Sequence, residues 1–429
     1  MASVVARALV AIDADKASKQ DLELLKKLVM EFKDELYALG VKVDKLDKRV
    51  SVIEKRLGGW SLRGQIYFDA KFTGDSDKNY YGLGMDSDKD FGFGRARLWL
   101  EKQIDDKTSF QARLNMADGS LTWDRYFVQT KLPYDIDFTF GRFNFDWESD
   151  AGLYNPYDIN NDATFGDIDT TGFQFMKAWN KFSFTGVIGR NNAFDLDNSE
   201  VYNEDDDLNT HMLYAARIHA DFSEKFMGGL MGYWWKGDNL SSNTSYPIAG
   251  NSDIDTYGVY AGYKFTPAVE LKGVYYWQNI DIDGRSFNGD DPKSWKVILD
   301  VKQDLLKFTS LWIEYAQETN TFQGTDVSYK YIGANPQKFQ PFNDNTAKMW
   351  LVRADQKWND KWGTYLRYFQ ADWDTAGYDD TKEYSAGVTY QYTPAIQFKL
   401  EYDHIDYGLV NDIDKDADHI IRFRTTVNF

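Results

Sequence analysis

The sequence predicts an all-β transmembrane antiparallel β-barrel of 18 strands, with 16 as the alternative count, preceded by an N-terminal α-helical coiled-coil stalk. Three observations predict it. Residues 59–429 alternate apolar and polar side chains with period 2 over many short segments. The links between those segments are alternately short and long. Residues 21–57 instead repeat apolar positions every 3.5 residues.

Composition sets the outer bounds. No stretch approaches the roughly 18 apolar residues a membrane helix needs, but a barrel strand is apolar only at every second position. Aromatic residues make up 17% of a chain with net charge -18, which excludes acidic disorder. The absence of Cys excludes disulfides and thiolate chemistry. Residues 1–11 lack a basic segment and a small-residue cleavage site, so the expectation is a mature or truncated form whose natural start is not Met1.

Residues 1–17 are short and place Val4, Val5, Leu9 and Val10 near one helical face. Residues 18–58 carry the seam Leu22, Leu25, Val29, Phe32, Leu36, Leu39, Val43, Leu46, Val50, Ile53 and Leu57, in unbroken steps of 3 and 4. At 1.5 Å per residue this is a rod of roughly 50 Å. So narrow a stripe needs partner helices to cover it. Val at one seam position and Leu at the other lean toward two strands, whereas the bulk of Phe32 leans toward three.

From residue 59 the period changes to 2. Leu62, Ile66, Phe68, Ala70 and Phe72 alternate with polar neighbours, as do Ile421, Phe423, Val427 and Phe429 at the other end. Strands are expected at 61–72, 92–103, 108–116, 123–132, 136–145, 172–179, 182–190, 210–222, 226–236, 255–265, 269–280, 294–303, 308–317, 347–358, 361–374, 383–392, 396–405 and 419–429. A soluble sandwich also alternates. Against it, all 8 Pro fall in the proposed turns and loops, as a closed sheet requires. The polar face is also rich in Arg, Lys, Asp and Gln, and the aromatic face is too large for a partner sheet to cover; lipid can. Tyr67, Trp179, Trp234, Trp277, Trp358 and Tyr392 suit interfacial girdles, with a lumen position as the alternative for Tyr67.

A barrel of 16 to 18 strands leaves an aqueous channel. The link 147–171 follows Gly141-Arg142 and carries Glu148, Asp150, Asp158, Asp162, Asp167 and Asp169. Facing it, Arg63, Arg95, Arg97, Arg113, Arg125, Arg142, Arg353, Arg422 and Arg424 have lumen-side parity where parity is readable. An acidic inward loop opposite a basic wall would set a transverse field across a constriction; the alternative is that these acids solvate an exposed loop. After residue 58 the chain holds 37 basic and 57 acidic side chains, which predicts a mild cation preference.

No catalytic residues and no resident metal or cofactor are expected. His211, His219, His404 and His419 are scattered, and no nucleophile elbow, HExxH or phosphate loop occurs. The acidic runs at 204–207 and 412–418 either hold divalent cations or are simply solvated. No nucleic-acid partner is expected of so acidic a chain.

Two segments also resemble known families. Met-Ala-Ser-Val-Val-Ala-Arg-Ala-Leu at 1–9 resembles the last helix of an S-layer homology (SLH) domain, and Gly141-Arg142 resembles the end of the fifth strand in general trimeric porins, whose next loop folds inward. The order of SLH tail, coiled coil and barrel resembles the SLH-porins of diderm Firmicutes, the OmpM type. That resemblance implies a homotrimeric diffusion porin of the bacterial outer membrane, bedded in lipid and lipopolysaccharide, with a periplasmic stalk. It implies peptidoglycan binding through an SLH domain of which only the tail is present here. It also implies that Phe429, as a terminal aromatic, is the signal for the barrel assembly machinery. A passive channel, a structural tether and a substrate-specific channel all remain open on this reading.

Overall fold

The computed structural model describes residues 27, 59–73, 89–117, 120–158, 163–191, 211–240, 250–282, 291–306, 309–319, 322, 346–410, 412–415 and 417–429. The SLH-like segment and the coiled-coil seam lie outside the described residues.

Eighteen antiparallel strands form one closed sheet. In order they are β1 (Trp60–Thr73), β2 (Lys89–Gln103), β3 (Thr108–Ala117), β4 (Ser120–Leu132), β5 (Ile136–Phe145), β6 (Ile168–Trp179), β7 (Phe182–Asn191), β8 (His211–Asp221) and β9 (Phe226–Leu240). They continue as β10 (Gly250–Thr266), β11 (Val269–Ile282), β12 (Lys293–Val301), β13 (Ser310–Thr319), β14 (Thr346–Lys357), β15 (Trp362–Asp372), β16 (Thr381–Thr393), β17 (Ile396–Asp406) and β20 (Asp418–Asn428). A two-stranded hairpin, β18 (Gly408–Val410) and β19 (Ile413–Lys415), stands between the last two. The expected count of 18 holds, and the alternative of 16 falls. Several strands run further than alternation suggested, β6, β9 and β10 most, because a ladder needs only backbone donors and acceptors and continues past the apolar band, whereas β8, β12 and β15 are a little shorter than expected.

Closure is made by β20, which pairs with both β17 and β1. The last bonds of the seam are Gly64 N to Phe429 O at 2.6 Å and Phe429 N to Gly64 O at 3.0 Å. The Phe429 ring lies over Gly64, where a Cβ would collide with it. The glycine thus makes the hole that the terminal aromatic fills.

Turns at one end are tight, and side chains fix them. In the β2–β3 turn Asp105 accepts from Lys107 N at 2.8 Å and Thr108 N at 2.9 Å. These bonds, that of Lys107 above all, hold its carboxyl below the usual range. Pro133, Pro156, Pro267, Pro292 and Pro394, the described prolines, all lie outside strands.

Outward side chains are apolar and exposed: Leu230, Leu366, Leu400, Ile421 and Phe423 are among them. Where they give way to polar residues, rings meet in a belt running Trp234–Tyr257–Trp277–Tyr275 and Trp295–Tyr315–Trp350. Ring plus polar tip suits the boundary between hydrocarbon and water.

Candidate functional site: the lumen and its inward loop

The inner face of the barrel has two unlike halves. On β7–β15 it is apolar in its middle: Val187, Leu213, Tyr233, Trp235, Ile254, Val274, Tyr276, Ile298, Met349, Leu351 and Phe369 are all buried there. Ladder parity places them opposite the lipid-facing side chains. Such a surface could not stand open to a water-filled pore, so something must cover it.

The cover is made by the described residues 146–158 and 163–167. It leaves the wall after β5, forms the single turn α1 (Trp147–Asp150), and packs Trp147, Leu153, Ala163 and Phe165 into that apolar half. Trp147 lies 5.0 Å from Tyr233, and Phe165 lies 4.7 Å from Tyr233 and 5.7 Å from Tyr276, centroid to centroid. Asp146 caps α1, accepting from Ser149 N at 2.9 Å and from the Tyr154 hydroxyl at 2.7 Å. Burial, helped by the nearby Glu148 and Asp167 carboxylates, pushes its pKa up to about 7.

The acids of the loop act mainly as fasteners. Glu148 is 0% exposed. It accepts from Thr164 N, Phe165 N and the Tyr276 hydroxyl at 3.2, 2.9 and 2.8 Å, and pairs with Lys296 Nζ on β12 at 2.7 Å. Asp158, also buried, pairs with Arg367 Nε on β15 at 2.6 Å and lies 3.8 Å from Arg353 on β14. Asp150 pairs with Arg217 on β8 at 2.7 Å while keeping 61% of its side chain exposed. A loop bonded to β8, β11, β12, β14 and β15 lies inside the barrel along one wall. Among its described residues Ser149, Asp150, Pro156, Tyr157 and Asp167 are exposed, Tyr157 at 73%.

The acids of the loop therefore divide. Glu148 and Asp158 are spent on the wall, so they do not face the pore as free charge. Asp167 and Asp169 close the loop's far end: Arg125 Nε bonds Asp169 at 2.9 Å, and Asn144 Nδ2 bonds Asp167 at 2.9 Å. Asp162 lies outside the described residues. Arg142 is a correction. It pairs in the ladder with Tyr126 and Thr171 and shares parity with Phe138 and Phe140, whose rings stack on outward Phe173 and Phe175. It sits on the outer side because Phe143 and Phe145 turn inward to meet the loop. Gly141 makes the bend at φ 120°, where a Cβ would lie 2.4 Å from Tyr126 O.

The other half of the wall is polar. Arg63 bonds Glu101 at 2.9 Å, Arg113 pairs with Asp124, Arg424 grips Asp69 through two 2.6 Å bonds, and Arg422 pairs with Glu401. Arg95 and Arg97 lie among them on β2, opposite Tyr67 and Gln65. Sequence reasoning missed Arg217, Lys272, Lys296, Arg367 and Lys399 on the inner face. Their parity was readable, since Lys296 sits between Trp295 and Val297, and Arg367 between Leu366 and Tyr368. Among the described residues no cluster of three or more metal-binding side chains occurs.

Solved structures share this architecture. Pseudomonas aeruginosa OprD aligns over 87% of this chain and 95% of its own, at 12% identity and TM-score 0.50. OccK11 (OpdR) of the same organism aligns over 86% and 95%, at 10% identity and TM-score 0.50. The trimer form of OmpT, an outer membrane protein of Vibrio cholerae, aligns over 86% and 99%, at 14% identity and TM-score 0.47. The shared feature is the fold, that of an outer-membrane β-barrel. No protein-family model matches the chain, and no curated protein sequence matches it.

Proposed function

We propose that this protein is a porin of the bacterial outer membrane, passing small hydrophilic solutes and ions by diffusion. The observation that carries this is the loop. A closed 18-stranded barrel has room for water inside. Residues 146–158 and 163–167 pack against one side of that space and leave a polar, charged wall opposite. A purely structural barrel has no use for half a wall of lumen-facing arginines. The constriction then lies between Tyr157 on the loop and the β1–β4 wall.

The seam at 22–57 and the SLH-like segment extend the proposal. The barrel is a homotrimer embedded in outer-membrane lipid and lipopolysaccharide, folded by the barrel assembly machinery. Its stalk points into the periplasm, and in the full-length protein an SLH domain, of which only the tail is present here, would tie it to peptidoglycan. Planar-bilayer reconstitution tests the channel: stepwise openings in groups of three are expected, and a purified, folded protein that never conducts would end the reading. Gel filtration with light scattering tests the trimer independently.

A further inference from the structure

The polar wall holds its charges in pairs, with two left over. Arg63 has Glu101, Arg113 has Asp124, Arg125 has Asp169, and Arg424 has Asp69. Each carboxylate on this stretch is already held by a different guanidinium. Arg95 and Arg97 have none: among the described residues neither makes a side-chain hydrogen bond or ion pair, and Arg97 Nε is buried without a partner.

Their neighbours explain why. Arg97 stands in register with Gln65 on β1 and Asn115 on β3, both neutral amides. Gln65 Nε2 is turned to Asn428 at 3.0 Å. Arg95 stands opposite Tyr67, whose ring lies between the Arg95 guanidinium at 5.0 Å and that of Arg424 at 4.7 Å. The ring faces hold these side chains in place without neutralising them. Gln65 and Tyr67 are the sixth and eighth of the fourteen residues of β1, so the site sits near mid-height of the wall. Residues two apart on a strand share a face roughly 7 Å apart. Two partly buried guanidiniums at that spacing, neither with an ion-pair partner of its own, attract an anion that can accept from both.

We propose that Arg95 and Arg97 form a subsite on the open wall for small organic carboxylates, which pass through the pore by replacing there the carboxylate every other arginine of this wall already has. The class follows from the wall itself. Guanidinium on carboxylate is the pairing made at the same depth by Arg424 and Asp69, through two parallel bonds. The inference reverses the cation preference expected from the charge of residues 59–429, because the loop acids Glu148 and Asp158 are spent on Lys296, Arg353 and Arg367. It rests on the channel reading, and two measurements keep the two apart.

The first is current through wild-type protein, R95Q/R97Q and R95K/R97K in a salt gradient, with succinate as the probe. Wild type is expected to favour anions and to lose chloride current as succinate is added. R95Q/R97Q should shift the reversal potential toward cations and raise the half-blocking succinate concentration by about tenfold or more. R95K/R97K should keep the reversal potential yet weaken the block, since an ammonium cannot offer two parallel bonds. Equal reversal potentials and equal block in wild type and R95Q/R97Q would overturn the subsite. The second is equilibrium binding of succinate to detergent-purified protein, which needs no conduction. Binding to wild type and its loss in R95Q/R97Q supports the subsite even if the channel reading fails. No binding to folded wild type, or equal binding to both, overturns it.

Discussion

The β7–β15 wall and the β1–β4 wall are built from the same antiparallel ladder, yet they do opposite things. The first has apolar side chains on both faces. Lipid covers the outer face, and Trp147, Leu153 and Phe165 of the inward loop cover the inner. Its charges, Lys296, Arg353 and Arg367, are buried beneath the loop and matched by Glu148 and Asp158. The second is mostly polar inside, Trp99 and Phe127 apart, stays open there, and keeps two arginines unmatched. The lesson is that charge on a barrel's inner face does not report what a solute meets. A charge under the loop serves attachment, and only one on the uncovered wall serves the pore.

The sharpest way to break the comparison is to unfasten the loop. Glu148→Ala leaves Lys296 buried without its partner and frees Thr164 N, Phe165 N and the Tyr276 hydroxyl. Breaking a buried pair from one side costs about 3–5 kcal/mol. We expect the loop to leave the wall, single-channel conductance to rise, and the barrel's unfolding temperature to fall. Unchanged conductance and unfolding temperature would show that Glu148 does not hold the loop.

Asp158→Asn should have the same sign and a smaller size. Asn can still accept from Arg367 Nε, but it no longer neutralises Arg367 and Arg353, so a loss of about 1–3 kcal/mol is expected. Noisier openings from a loosened loop would accompany it in bilayer recordings.

Phe429→Ala acts at the seam. It leaves the hole over Gly64 open and exposes the β1–β20 closure. A lower yield of heat-modifiable, folded barrel is expected in refolding assays, with near-normal conductance in the molecules that close. Refilling the hole by combining Phe429→Ala with Gly64→Val should recover part of the yield.

The smallest effect is pH dependence at the loop's hinge. Asp146 is protonated more readily in the folded barrel, with a pKa of about 7 against 3.8 when unfolded. Between those values the folded state binds the extra proton, so stability from this group is greatest at low pH and is lost as pH rises toward 7. Asp146→Asn should flatten that part of the stability-against-pH curve. A slope identical to wild type would place the titration elsewhere.

Much of the fold was legible because lipid enforces an apolar alternation along most of the outer face. The span 136–145 was read to its end residues, and most others within a few. The stalk seam falls outside the described residues. The inward loop was legible as a position and as a run of acids, but its attachment was not. The signal was present in strands with apolar residues at both parities, such as Tyr233-Trp234-Trp235 and Tyr275-Tyr276-Trp277. A strand with lipid on one side and water on the other has no reason to be apolar on both, so these marked where the loop must land. Arg142, expected in the lumen with the other arginines, instead follows the alternation of Phe138 and Phe140 outward.

One measurement tests the two-wall account most directly. The chain has no Cys, so single cysteines report without background. Val274→Cys lies on the covered wall, where the native residue is 4% exposed, and Asn115→Cys lies on the open wall in register with Arg97. A charged methanethiosulfonate reagent added during bilayer recording should change the current of N115C in steps and leave V274C untouched. Rapid modification of V274C, or none of N115C, would contradict the account.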